Sequence, residues 1–246
     1  NQANVPGEAS DLGPFYIDET PPETPVVDDG KYTASTNMVN ASWSASDPES
    51  GISEYEYAVG TSPLGTQIRD WTSVGPSTSA AITGLSLSAA TTYYVSVRAT
   101  NHAGLVSSPA SSTGVKVAQP VPDILAAKAV DDGTAIALAP QVVSAVFPTA
   151  FYLEDPDRFT AIRVQAASEL EPDDLVSVMG TMGLTNDGER AILDPVFPDP
   201  TETGNPIMPV VMLAKTAGGG TQGKTPGTTG GVGLNTTGLL VKIESK

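Results

Sequence analysis

The sequence predicts an all-β protein built as a sandwich followed by a small barrel, and three observations predict it. Tyr93, Val95, Val97 and Ala99 alternate with Tyr94, Ser96 and Arg98, the period of two that gives a strand one buried and one solvated face. Similar short runs recur along the chain, divided by Asp-Pro, Pro-Asp and Asn-Asp-Gly turns. The 246 residues suffice for two domains of about 100 residues, each large enough to bury its own core.

In chain order, residues 1–21 read as an acidic arm. Seven acids (Glu8, Asp11, Asp18, Glu19, Glu23, Asp28 and Asp29) and no base fall within residues 1–30, so the arm is expected either as a free tail or as a segment docked on a neighbour. Phe15 and Ile17 would face one way and Tyr16 the other, as a short added strand requires.

Residues 22–118 are expected to form a seven-stranded antiparallel sandwich. Val39, Ala41 and Trp43 alternate with polar neighbours, and Ile52 to Val59 continues the pattern through Tyr55 and Tyr57 after the Asp47-Pro48-Glu49-Ser50-Gly51 turn. Trp43 is the expected core tryptophan, with Trp71 on the following strand and Val115 and Val117 on the last. Ile82 and Leu85 precede a polar corner that leads into Thr92-Tyr93 and on to Asn101 and Gly104. This spacing resembles the E-to-F corner of a fibronectin type III domain, and Ser-Gly-Ile-x-x-Tyr-x-Tyr-Ala-Val-Gly-Thr-Ser-Pro from Ser50 resembles the bacterial branch of that family. The resemblance implies an Ig-like, fibronectin III sandwich with Trp43, Leu85 and Tyr93 as core markers, and a Tyr93 side chain hydrogen-bonded back across the corner.

Gln119-Pro120-Val121-Pro122-Asp123 reads as a stiff proline linker over 119–123. A barrel is expected over 124–215, from strands at Thr134–Leu138, Val142–Phe147, Phe151–Glu154, Ala161–Ala166, Leu175–Met182 and Glu189–Leu193. The runs Phe-Tyr-Leu-Glu-Asp-Pro-Asp-Arg, Ala-Ile-Arg-Val and Leu-Glu-Pro-Asp-Asp-Leu-Val-Ser-Val-Met-Gly-Thr-Met resemble the middle strands of an OB-fold barrel. Pro172, Asp174, Val176, Val178 and Gly180 stand where that fold has its turn and following strand, and Asp173 occupies a place where many relatives have glycine.

Residues 216–238 hold nine Gly and seven Thr in 23 positions, the composition of a disordered linker. If ordered, such a tract must be clamped by neighbours or wrapped over its own barrel, because fixing each residue costs about 1–2 kcal/mol. Residues 239–246 open with the abrupt apolar run Leu239-Leu240-Val241-Lys242-Ile243, expected either to return to its own barrel or to be donated to a neighbouring subunit.

Composition narrows function. A net charge of −16, with only Arg158, Arg163 and Arg190 as bases between Pro140 and Phe197, argues against nucleic acid and anionic membranes, and no apolar run is long enough for a membrane span. With no cysteine and His102 as the sole histidine, in a loop, thiolate and imidazole chemistry have almost no material, and no enzyme is expected. Asp47 and Glu49, or Asp28-Asp29-Gly30, could offer oxygens to calcium at loop tips, without the spacing of a regular calcium loop; no other cofactor is implied. Asn40-Ala-Ser and Asn235-Thr-Thr match the glycosylation acceptor pattern.

The chain opens on Asn1 without an initiator Met or a positively charged apolar start, as expected of a processed, exported product or of a trimmed piece. The expectation is a non-enzymatic extracellular or cell-surface structural protein of prokaryotic type, a homo-oligomer or homopolymer such as a filament or surface layer. Its donor-strand joints would lie at Phe15, Tyr16, Ile17, Leu239, Leu240, Val241 and Ile243. The alternative is a carbohydrate-binding or adhesion fragment of a larger secreted protein, with Tyr94, Trp71 or Phe159 stacking on glycans.

Overall fold

A computed structural model describes residues 17–197, 199–214 and 217–244. Strand accounts for 44% of the described residues and helix for 3%, as the all-β expectation requires. Phe15 and Tyr16 of the expected arm lie outside the described residues.

The first unit contains Val26–Asp28 (β1), Tyr32–Thr33 (β2), Met38–Ser44 (β3), Ile52–Gly60 (β4), Arg69–Ser73 (β5), Ser79–Thr83 (β6), Thr92–Asn101 (β7), Ala110–Ser111 (β8) and Val115–Val117 (β9). One sheet runs β1-β3-β6; the other runs β2-β9-β7-β4-β5, with β8 also on β7. The sheets enclose Val39, Trp43, Tyr55, Tyr57, Ile82, Leu85, Tyr93, Val95 and Val97. Strand alternation puts them there: in β3 residues 39, 41 and 43 point inward and 40, 42 and 44 outward.

One feature differs from the sequence expectation: the sandwich is not wholly antiparallel, because β2 pairs parallel with β9. The cause lies at Asp28-Asp29-Gly30, where the Asp28 carboxylate accepts the Gly30 N–H at 2.9 Å and Gly30 takes φ +73, so the edge strand leaves one sheet and joins the other. Trp71 stands outside the core, half-buried on β5, with the Arg98 guanidinium 4.6 Å from its ring centroid and held by Glu56 at 2.7 Å.

The second unit begins inside the expected linker. Gln119–Val121 is a strand (β10), followed by the helix Ile124–Ala129 (α1), which Asp123 caps by accepting the Ala126 N–H at 2.7 Å. Val121, Ile124 and Ala127 drop into the barrel core. The proline-rich stretch is therefore not a free spacer: β10 pairs parallel with Ala135–Phe147 (β11). Pro120 fits because an edge strand can go without one donor.

Ala150–Glu154 (β12), Ala161–Val164 (β13), Leu175–Leu184 (β14) and Arg190–Val196 (β15) complete a closed five-stranded barrel in the order β11-β12-β13-β15-β14 and back to β11. All its pairings are antiparallel except β13 with β15. β11 replaces the two strands expected on either side of Pro140. Its register shifts between Leu138 and Gln141, so the first half lies between β10 and β14 and the second half turns to reach β12. Gly180 is obligatory: a Cβ there would lie 2.4 Å from Ile192 Cγ2 and 2.9 Å from the Leu193 carbonyl oxygen.

Across the sandwich corner, the Ser88 N–H donates to Tyr93 Oη at 2.9 Å. Tyr93→Phe removes that acceptor and is expected to lower stability by about 1 kcal/mol. The shift should appear in the denaturant midpoint, while Ser88→Ala, which keeps the backbone donor, leaves it nearly unchanged.

Candidate functional site

Val210–Leu213 (β16) and Val241–Glu244 (β17) form a separate parallel pair outside the barrel sheet. The C-terminal strand thus neither closes its own barrel nor stands free. What positions it is the Gly/Thr tract, which packs on the barrel.

The glycines of the tract allow backbones to cross at close range. A Cβ on Gly219 would lie 1.8 Å from the Leu234 carbonyl oxygen, and one on Gly231 would lie 2.1 Å from that of Gly219. Gln222 and Thr225 exchange backbone hydrogen bonds at 2.9 Å around Gly223-Lys224, a two-residue hairpin loop. The Lys224 N–H donates to the Lys128 carbonyl at 3.1 Å, and the Lys224 ammonium pairs with Asp131, so the loop sits on the end of α1.

The Gln222 side chain enters the interior. Its Oε1 accepts from Thr160 Oγ1 at 2.7 Å and from Lys128 Nζ at 3.3 Å, and its Nε2 donates to the Phe159 carbonyl at 3.1 Å. Lys128 is 1% exposed. Burial draws its pKa down to about 8, against the opposing charge of Asp155. Burial likewise pushes Asp155 up to about 6, although its Oδ1 accepts the Ile124 N–H at 3.3 Å. Glu154, fully buried and also raised by burial, accepts the Leu240 N–H at 2.9 Å and so fixes the entry to β17. Nearby, Arg190 is buried against Asp132 and the Val130 carbonyl.

The structure scatters the residues singled out from sequence. Leu239 is buried, Val241 half-buried, and Leu240 and Ile243 exposed, the last at 47%. Ile17 is 80% exposed at the far end of the sandwich, where the segment after it is tied down. There Asn101 Nδ2 donates to Asp18 Oδ2 at 2.7 Å, to the Thr20 carbonyl at 3.1 Å and to Asp47 Oδ2 at 3.0 Å. The start of the described chain therefore docks on its own sandwich, through an asparagine whose loop setting gave no such signal.

Asp47 is a turn anchor. Its Oδ1 accepts the N–H groups of Glu49, Ser50 and Gly51, and this bonding, led by Ser50, holds its pKa below the usual carboxylate range. Glu49 bonds Thr20, and Asp29 accepts from Ser112 Oγ at 2.6 Å. The proposed calcium oxygens thus face donors, and among the described residues no group of three or more His, Cys, Asp or Glu is arranged to hold a metal. Of the two acceptor asparagines, Asn40 is exposed on β3. Asn235 is 2% exposed, its Nδ2 donating to the carbonyls of Gly220 at 2.8 Å and Pro226 at 3.2 Å, so this acceptor-pattern asparagine is a buried tract anchor. No protein-family model matches the chain, and no curated protein is similar to it.

The raised carboxylates set a pH dependence. Between 3.8 and about 6 the folded chain keeps a proton on Asp155 that the unfolded chain has released, so its contribution to stability falls as pH rises through that window. Glu154 and Asp29 act in the same direction. Asp155→Asn is expected to flatten the decline of Tm across this window, measured by thermal melting at fixed ionic strength.

Proposed function

We propose that the chain is a non-enzymatic extracellular structural protein that assembles through strand exchange at its C-terminal ribbon. The observation that carries this reading is the β16–β17 pair itself. Parallel strands are normally covered on both faces and an isolated two-stranded unit is marginal, yet β17 has no second strand partner among the described residues. Val211, 57% exposed, and Ile243 keep apolar surface in solvent beside that edge. An antiparallel strand from a second copy would satisfy the backbone row and cover the apolar side chains together.

The rest of the molecule supports the rigid body that such joints need. The two-sheet arrangement, the inward Trp43 and Leu85, and the Tyr93 corner support kinship of residues 22–118 with fibronectin III domains. The barrel order, the single parallel contact between β13 and β15, and Asp173 at φ +78 in the turn before β14 support an OB-like second unit. The acidic balance of −16 favours a soluble surface over nucleic-acid binding.

A second reading rests on a repetition. β10 reaches β11 through a crossover and pairs with it in parallel, and β16 reaches β17 in the same way. In that reading β17 begins a further barrel, and the chain is an adhesion or carbohydrate-contacting piece of a larger secreted protein. Phe159 is exposed for such contacts, whereas Trp71 is covered on one side by Arg98.

Sedimentation and electron microscopy separate these readings. The full chain is expected to form concentration-dependent oligomers or fibres, and the chain lacking residues 239–246 to remain monomeric. A full chain that is monomeric at every concentration overturns strand exchange, as does unchanged assembly of the shortened one.

A further inference from the structure

The interior contact between α1 and the Gly/Thr tract has the parts of a bond-forming site. A buried lysine is ordinarily answered by a carboxylate in ion-pair distance, yet among the described residues Lys128 forms no such pair and its ammonium is directed at the Gln222 amide. That amide is already polarised: Thr160 Oγ1 donates to the carbonyl oxygen, where negative charge would gather on attack, and the Phe159 carbonyl holds the nitrogen that would leave. Both reacting residues are fixed by their backbones, since Lys224 N–H bonds the Lys128 carbonyl and a Cβ on Gly223 would lie 3.0 Å from that same oxygen.

We infer that Lys128 Nζ and Gln222 Cδ join in an intramolecular isopeptide bond, which ties α1 to the Gly/Thr tract across 94 residues of chain. The neutral amine attacks Cδ with its lone pair, the carbonyl oxygen carries the negative charge beside Thr160, and the Cδ–Nε2 bond then breaks. The proton lost by Nζ ends on Nε2, so ammonia leaves and the product is a secondary amide. No oxidant, reductant or other reactant enters. Burial lowers the lysine enough to populate the nucleophilic amine near neutral pH. The bond would hold a tract that has little apolar surface to bury, and it does not depend on whether β17 is exchanged between copies.

Intact-mass spectrometry of the purified, denatured full chain tests this directly. The expected mass is below the sequence mass by one ammonia in essentially every molecule, and protease digestion should release a branched peptide joining the segments that carry Lys128 and Gln222. The Lys128→Arg chain, which keeps the buried cation, should show its full sequence mass and yield those segments separately. An unmodified chain at full sequence mass overturns the proposal, as does an ammonia loss that maps to any other residue. Should Lys128→Arg fail to fold, the peptide map of the unmodified chain decides alone.

Discussion

The side-chain amide of Gln222 is the joint on which residues 217–244 depend. A tract this rich in glycine loses about 1–2 kcal/mol per residue in backbone entropy on ordering, and it buries few apolar groups to offset that. What offsets it is polar: Gln222 plugs into Thr160, Lys128 and the Phe159 carbonyl, while Asn235 gathers the carbonyls of Gly220 and Pro226. With those anchors set, Gly238 lies so close to the Tyr152 ring that a Cβ would meet it at 2.7 Å, Leu239 is buried, and the Leu240 N–H reaches Glu154. The position of β17 is the last consequence of an amide placed in the barrel interior.

What could be read from sequence follows the reach of the signal. Period-two alternation in β3, β4 and β7 is a local property with a global cause, the two-faced sheet, so Val39, Trp43, Tyr55, Tyr57 and Tyr93 were legible as core. Pro140 broke β11 in two on paper because proline cannot donate to a ladder, yet at a bulge no donor is needed there. Pro120 misled in the same way, since β10 is an edge strand. The six residues of α1 are too few to show a helical period, although Asp123 three positions before Ala126 is a capping signal. The polar anchors were not legible at all. Nothing local distinguishes Gln222 or Asn235 from the solvated threonines around them, because their partners, Thr160 and Lys128 for the one and a crossing stretch of tract for the other, come together only in the folded chain.

Charge tells a related story. The 28 acids outnumber the 12 bases, yet the carboxylates that matter structurally are neutralised by donors rather than by cations. Asp47 takes three backbone N–H groups and Asn101, Asp174 takes the Glu171 N–H, and Asp123 caps α1. Ion pairs on the barrel are few: buried Arg190 meets Asp132, and part-buried Arg163 meets Glu189 and, through that carboxylate, Tyr152. A chain arranged this way leaves most of its negative charge in solvent, where it opposes non-specific association.

The two parallel pairs show where pairing capacity remains. In the first, β10 lies against the first half of β11, β12 takes up the same edge along the second half, and β14 runs along the opposite edge, so the ladder leads into a closed barrel. In the second, β16 lies against β17 in the same parallel sense, and among the described residues no third strand joins the pair. Evenly spaced, slanted parallel bonds are slightly weaker per residue than antiparallel ones, so the second pair relies on Glu154, Leu239 and the tract to hold it in place. The anchoring is therefore invested in presenting β17 at a fixed position, with its apolar Ile243 outward, rather than in covering it. An element held firmly and left open along one edge is suited to receive an antiparallel strand, whether that strand comes from a second copy or from a barrel that β17 itself begins.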